Sequence, residues 1–98
     1  MIVLVAKYYL KSVDDLPAVR SALEEMAVRV RADEPACTLY QASVSTERPD
    51  LVMLYEHYTD EAALLAHRET PHFAELVEGR VVPLLDRRER EVYELLVS

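Results

Sequence analysis

The segment Ile2 to Leu10 reads IVLVAKYYL, and both of its alternating rows are largely apolar: Ile2, Leu4, Ala6, Tyr8 and Leu10 on one side, Val3, Val5 and Tyr9 on the other. A run so rich in β-branched and aromatic residues predicts a strand covered on both faces. Leu51 to Tyr58 repeats the pattern, with Val52 and Leu54 set against Met53 and Tyr55. The chain has only 98 residues. A chain of that size buries roughly 60–65% of its unfolded surface, too little for one copy to cover both faces of a sheet and enclose a substrate as well. Self-association is expected from this alone.

The remaining elements follow from local signals. Asp14 and Asp15 before Pro17 predict a helix start with a carboxylate cap and a proline in the first turn. Leu16, Val19, Leu23, Met26 and Val30 then recur at helical spacing, with Arg20, Glu24, Glu25, Arg29 and Arg31 mostly on the solvated side. Asp33-Glu34-Pro35 ends the helix, because the residue before a proline is driven out of the α region. A strand is expected over 36–46, a polar turn with Pro49, and a third strand over 51–58, the two strands pairing as an antiparallel hairpin. Thr59 or Asp60 caps a short helix to about Glu69, Pro71 opens a further helical turn, Gly79 is a natural stop, and 89–97 alternates as a last strand. The order β-α-β-β-α-β predicts an α+β, ferredoxin-like single domain over residues 1–98: a four-stranded antiparallel sheet with helices on one face. Two helices cover one face. The simplest cover for the other is the same face of a second copy, giving a homodimer through sheet faces.

Charge and composition narrow the function classes. Eighteen acidic against eleven basic residues leave a formal charge of −7, which repels phosphate backbones and anionic headgroups, so neither nucleic acid nor a membrane surface is an expected partner. The single cysteine, Cys37, forbids an intrachain disulfide, and the apolar start is too short for a signal or spanning segment, so a cytoplasmic location is expected. One glycine cannot build the phosphate-cradling loops of nucleotide sites or a nucleophile elbow.

Two places depart from the apolar pattern. Glu56 lies on the row of Val52, Leu54 and Tyr58, while His57 points the other way with Met53 and Tyr55, toward the expected dimer face. A carboxylate on an inward row must find a donor or take up a proton. His67 and His72, in the segment HRETPHF, come from the helical stretch that folds over that row. Bland readings compete at each position: an arginine ion pair at a sheet edge for Glu56, a helix-end residue for His67, a helix-start residue for His72, and core aromatics for Tyr8, Tyr40 and Tyr58. His67 and His72 are five apart across Pro71 and do not share the face that metal-binding helices use, so no metal site is expected. General-base chemistry in an apolar pocket, or simple binding, is what remains.

The runs EPACTLY (34–40) and LYEHYTDEAALLAHRETPHF (54–73) resemble the antibiotic biosynthesis monooxygenase family, particularly its small quinol-monooxygenase-like members. The resemblance implies a dimeric α+β barrel, sheet face to sheet face, with a pocket between each sheet and its own helices. Ala36 stands where the family usually has glycine, and Tyr58 where tryptophan is common. The chain has no asparagine or tryptophan, which disfavours the haem-degrading relatives. Matched position by position, Glu56, His67 and His72 would be catalytic. Tyr58, Phe73, Leu54, Leu76 and Tyr8 would bind substrate, with Val77 as a further apolar wall. The implied reaction needs no cofactor: a histidine deprotonates a hydroquinone, polyphenol or polyketide-like phenol, Glu56 orients that histidine, and the resulting anion reduces O2. The same fold also serves isomerases and non-catalytic small-molecule-binding stress proteins, which is the alternative reading.

Overall fold

A computed structural model describes residues 1–98. Strand β1 (Ile2–Leu10) leads through a short 3-10 turn (Val13–Asp15) into helix α1 (Leu16–Asp33). The hairpin β2 (Cys37–Val44) and β3 (Leu51–Tyr58) follows, then helix α2 (Glu61–Arg68), a π-helical segment α3 (Phe73–Val81), a second 3-10 turn (Val82–Leu84) and β4 (Leu85–Glu94). The sheet is antiparallel in the order β2-β3-β1-β4. This is the ferredoxin-like α+β arrangement expected from the element order.

Register decides what faces the helices. Glu56 lies between Leu4 of β1 and Tyr40 of β2, and Leu54 lies between Ala6 and Ala42. On the other side of β1, Ala6 pairs with Arg90 and Tyr8 with Arg88, so both arginines share the helix-covered face. The main core joins this face to Val19, Ala22, Leu23, Met26 and Val30 of α1 and to Leu76, Val77 and Val81 of α3. A smaller cluster of Ile2, Leu4, Tyr58 and Leu64 lies under α2. The opposite face has no helix. Val3 is buried there, Val5, Leu39, Met53, Tyr55 and His57 are half-buried, and Nε2 of His57 is shielded from solvent with no hydrogen-bond partner.

Four local expectations need correction. The first turn is capped by the Ser12 hydroxyl, which accepts from the Asp14 N–H at 3.1 Å, whereas Asp15 makes no side-chain cap. Strand β2 is shorter at each end than 36–46, and β4 begins at Leu85 and ends at Glu94 rather than spanning 89–97. Pairing with the long strand β1, from Ile2↔Glu94 to Leu10↔Leu85, sets those β4 limits and overrides local alternation. Gly79 does not stop its helix. It has no positive φ, and a Cβ there would lie 3.3 Å from the Ala74 carbonyl, so glycine fits the wide π-turn, which ends with the Val82 N–H donating to the Val77 carbonyl.

Candidate active site

The break between α2 and α3 positions the histidines. The Asp60 carboxylate caps α2 by accepting from the Ala63 N–H at 2.8 Å, which sets His67 in the last turn, aimed at the sheet. The Thr70 hydroxyl donates to the His67 carbonyl at 2.8 Å and accepts from the Phe73 N–H at 3.2 Å, pinning the turn that carries His72. Both imidazoles are buried, at 2% and 3% exposure.

Their shared partner is Glu34, which the sequence placed at the end of α1 and in the EPACTLY run with no role in the site. Its N–H still donates to the Val30 carbonyl at 2.9 Å, but the backbone has left the helix at φ −125° and ψ 74° before Pro35. The carboxylate turns inward: Oε1 lies 2.8 Å from His67 Nδ1 and Oε2 lies 2.6 Å from His72 Nε2. With Glu34 accepting at Nδ1, the neutral His67 ring carries its proton there, and Nε2 keeps the lone pair. That nitrogen is 3.7 Å from Glu56 Oε1, which in turn accepts from the Tyr58 hydroxyl at 2.5 Å. The rings of Tyr40, Tyr58 and Phe73 surround His67 with centroids 5.9, 5.3 and 5.3 Å away. The role of orienting the histidine, expected for Glu56, therefore falls to Glu34, and Glu56 faces the opposite nitrogen.

Burial sets the protonation states. Desolvation pushes the Glu56 carboxyl up to about 7, reinforced by Glu34 and opposed by the Tyr58 hydrogen bond and by Arg90. Desolvation holds His67 below its ordinary value despite the pull of Glu34. The Tyr58 hydroxyl is driven far up by burial and by Glu56, so it is a donor only. Burial also raises the Cys37 thiol to about 11, which leaves it no thiolate for nucleophilic chemistry near neutral pH.

A cavity of about 220 Å³ opens over Glu56 and His67, at the seam between the two apolar clusters, walled by Leu4, Ala6, Tyr8, Tyr40 and Phe73. Arg68, Arg88, Glu89 and Arg90 stand around it. Of the residues expected to serve the site, Glu56, His67, Tyr8 and Phe73 line this cavity. His72 does not, and reaches it only through Glu34. Tyr58 lies behind Glu56 in the smaller cluster, while Leu54 and Leu76, with Val77, are packed in the main core and form no part of the wall. Sequence reading missed Glu34, Arg68, Arg88 and Arg90 and set Tyr40 among core aromatics. Glu34 did leave one signal: a carboxylate at a helix C-terminus opposes the helix dipole and needs a compensating partner. A larger groove of about 700 Å³ between α1 and β2, floored by Val19, Leu23 and Val52, shares only Tyr40 with this site and holds neither of the histidines, nor Glu34 or Glu56. No three His, Cys, Asp or Glu side chains are arranged to hold a metal ion. No helix is long and apolar enough to cross a membrane.

The fold recurs in solved structures. A Mycobacterium tuberculosis protein, Rv0793, matches at TM-score 0.87 with 26% identity, over 99% of this chain and 96% of its own. Proteins from Bacteroides thetaiotaomicron (TM-score 0.86, 27% identity) and Caulobacter crescentus (0.90, 22%), both provisionally named antibiotic biosynthesis monooxygenases, each match over 98% of this chain and 90% of theirs. No curated protein matches the chain. The family model described as antibiotic biosynthesis monooxygenase matches residues 1–79, a span that holds Glu34, Glu56, His67 and His72 together, and the chain belongs to that family.

Proposed function

We propose that the chain is a cofactor-independent monooxygenase that oxidises a small hydroquinone or phenol with O2. The observation that carries this reading is the His67 imidazole, fixed by Glu34 at Nδ1 and presenting Nε2 beside Glu56 in an apolar cavity. Ground-state O2 is a triplet and reacts slowly with closed-shell molecules, but a hydroquinone anion can give it one electron. The protein's task is to make that anion and hold it dry. His67 Nε2 takes the hydroxyl proton, Glu34 spreads the imidazolium charge, and Glu56 supplies the second proton site. The anion passes one electron to O2, and the radical pair joins at a ring carbon to give a hydroperoxide. Loss of water then leaves a hydroxyquinone. One oxygen atom enters the ring and the other leaves as water, so the substrate supplies both electrons and both protons. Tyr8, Tyr40 and Phe73 stack on the flat ring and keep solvent from the radical pair.

The uncovered sheet face supports a homodimer in the same reading. Leu39, Met53, Tyr55 and His57 form an apolar surface there, and the shielded, unpartnered His57 Nε2 gains a donor or acceptor only from something laid across it. The single free thiol suits the reducing cytoplasm. The reaction is tested by oxygen uptake with single-ring hydroquinones, unsubstituted or carrying a ring carboxylate. Enzyme-dependent uptake that survives exhaustive chelation is expected; uptake no faster than in buffer would refute it. One observation favours the alternative, an isomerase-type or binding domain: an acid and a base 3.7 Å apart can shuttle a proton between neighbouring carbons without O2. Product formed equally fast in anaerobic solution would establish that reading instead.

A further inference from the structure

The cavity mouth is cationic on a protein whose net charge is −7. Arg68 reaches it from the end of α2, and Arg88 and Arg90 from the helix-covered face of β4. Arg88 is paired with Glu78 at 3.2 Å, but Arg68 and Arg90 enter none of the ion pairs of the fold. Glu89 does not neutralise them, because its carboxylate accepts from the Tyr9 hydroxyl at 2.8 Å and pairs with Arg87 at 3.2 Å on the other face of the sheet. Arg68 and Arg90 line the same opening from α2 and β4, and desolvation followed by the like charge of Arg68 lowers the pKa of Arg90. The carboxylate that acts on Arg90 is Glu56, which lines the same cavity and, with its carboxyl pushed up to about 7, is only partly charged near neutral pH.

Two unpaired guanidiniums held together at the rim of an apolar cavity are offset by an anion that arrives with the ligand. The cavity's 220 Å³ lies below the roughly 300–1,000 Å³ of pockets that take drug-sized ligands, which limits the guest to about one ring. We propose that the substrate is a single-ring hydroquinone or phenol carrying a carboxylate, whose ring lies over His67 and Glu56 while Arg68 and Arg90 hold its anionic group at the mouth. This rests on the oxygenase reading for the identity of the ring, and on the arginines for the carboxylate. It also assigns a specificity role to β4, whose inward row would otherwise be a solvated edge.

The test compares gentisate, a hydroquinone bearing one carboxylate, with unsubstituted hydroquinone. Binding is measured by calorimetry without O2, on the wild type and on Arg68→Gln, Arg90→Gln and the double variant, all at exposed positions that tolerate substitution. Gentisate is expected to bind at least about tenfold tighter than hydroquinone, with a preference that shrinks as salt is raised and falls about fivefold or more in each single variant. Equal or weaker binding of gentisate, no binding of either ring, or a preference unchanged in the double variant would overturn the proposal. Oxygen uptake on the same ligands separates the two readings. Arginine-dependent gentisate binding without oxygenation sinks the oxygenase and leaves this inference standing. Hydroquinone oxygenated with kcat/KM as high as gentisate sinks this inference and leaves the oxygenase.

Discussion

Glu56→Gln is expected to stabilise the fold at alkaline pH, and the gain follows from where the carboxyl sits. Its side chain is 3% exposed, under the ring of His67 and beside Tyr58, and burial lifts it from the usual 4.5 to about 7. Because the folded-state value is raised, the folded protein keeps the proton over a range in which the unfolded chain has lost it. The stability that Glu56 contributes is therefore greatest below about pH 4.5 and falls until the pH has passed about 7. At about 1.4 kcal/mol per pH unit the whole interval is worth about 3 kcal/mol. His67 titrates in the opposite sense: its depressed value favours the fold above 6.5 and costs stability as the pH drops through that region. That contribution is common to both proteins and largely cancels in their difference. The glutamine carbonyl can still accept from the Tyr58 hydroxyl, so the packing is preserved. For a domain of this size about 1 kcal/mol moves Tm by about 4–8 °C, so the Tm difference, variant minus wild type, should grow by about 10 °C or more between about pH 4.5 and about pH 8. Thermal melts followed by circular dichroism across that range provide the assay. A difference that is flat in pH, or that shrinks as pH rises, would mean Glu56 is ionised in the folded protein throughout, and its role as a proton site would fall.

Glu34→Gln leaves only one carbonyl oxygen for two imidazoles, so one charge-assisted hydrogen bond is lost, worth about 1.5–3 kcal/mol. Nitrogen NMR should show one of the two rings, His67 or His72, moving its proton to the nitrogen that faces away from residue 34, and two unchanged tautomers would refute the orienting role. His67→Ala should lower turnover about 10²-fold or more with the fold intact, and His72→Ala, which acts only through Glu34, should cost less. The reverse order in steady-state kinetics would exchange their roles. Tyr55→Glu places a charge on the bare sheet face and should yield monomer or aggregate in sedimentation, whereas a soluble native dimer would show that the contact lies elsewhere.

The architecture was legible because several independent signals agreed. The double apolar rows of β1 and β3, the Pro35 break and the Asp60 cap each set one element, and together they leave a single sheet order. The site was only half legible. Strand alternation put Glu56 on the inward row, and the sequence between Asp60 and Phe73 put His67 above it, since both are local readings of period and capping. Glu34 was not found, because its partners are more than thirty residues away and its local role as the last residue before a proline already explained it. Leu54 and Leu76 illustrate the converse. Spacing shows that a residue faces inward, but whether it meets a cavity or another side chain depends on how α1 and α3 close over the sheet. Arg88 and Arg90 were hidden for a related reason: the alternation of β4 was read from Glu89 onward, and only its pairing with Tyr8 and Ala6 reveals which face they share.

The central claim is that His67 and Glu56 make a hydroquinone anion that reacts with O2 without a cofactor. Isotopically heavy O2 tests it most directly, with chelated protein, hydroquinone and gentisate as substrates and mass spectrometry of the quinone product. One heavy oxygen atom in the ring of each product molecule is expected, formed at a rate proportional to enzyme and lost in His67→Ala. Quinone without the label, or label gained equally by the His67→Ala variant, would contradict it.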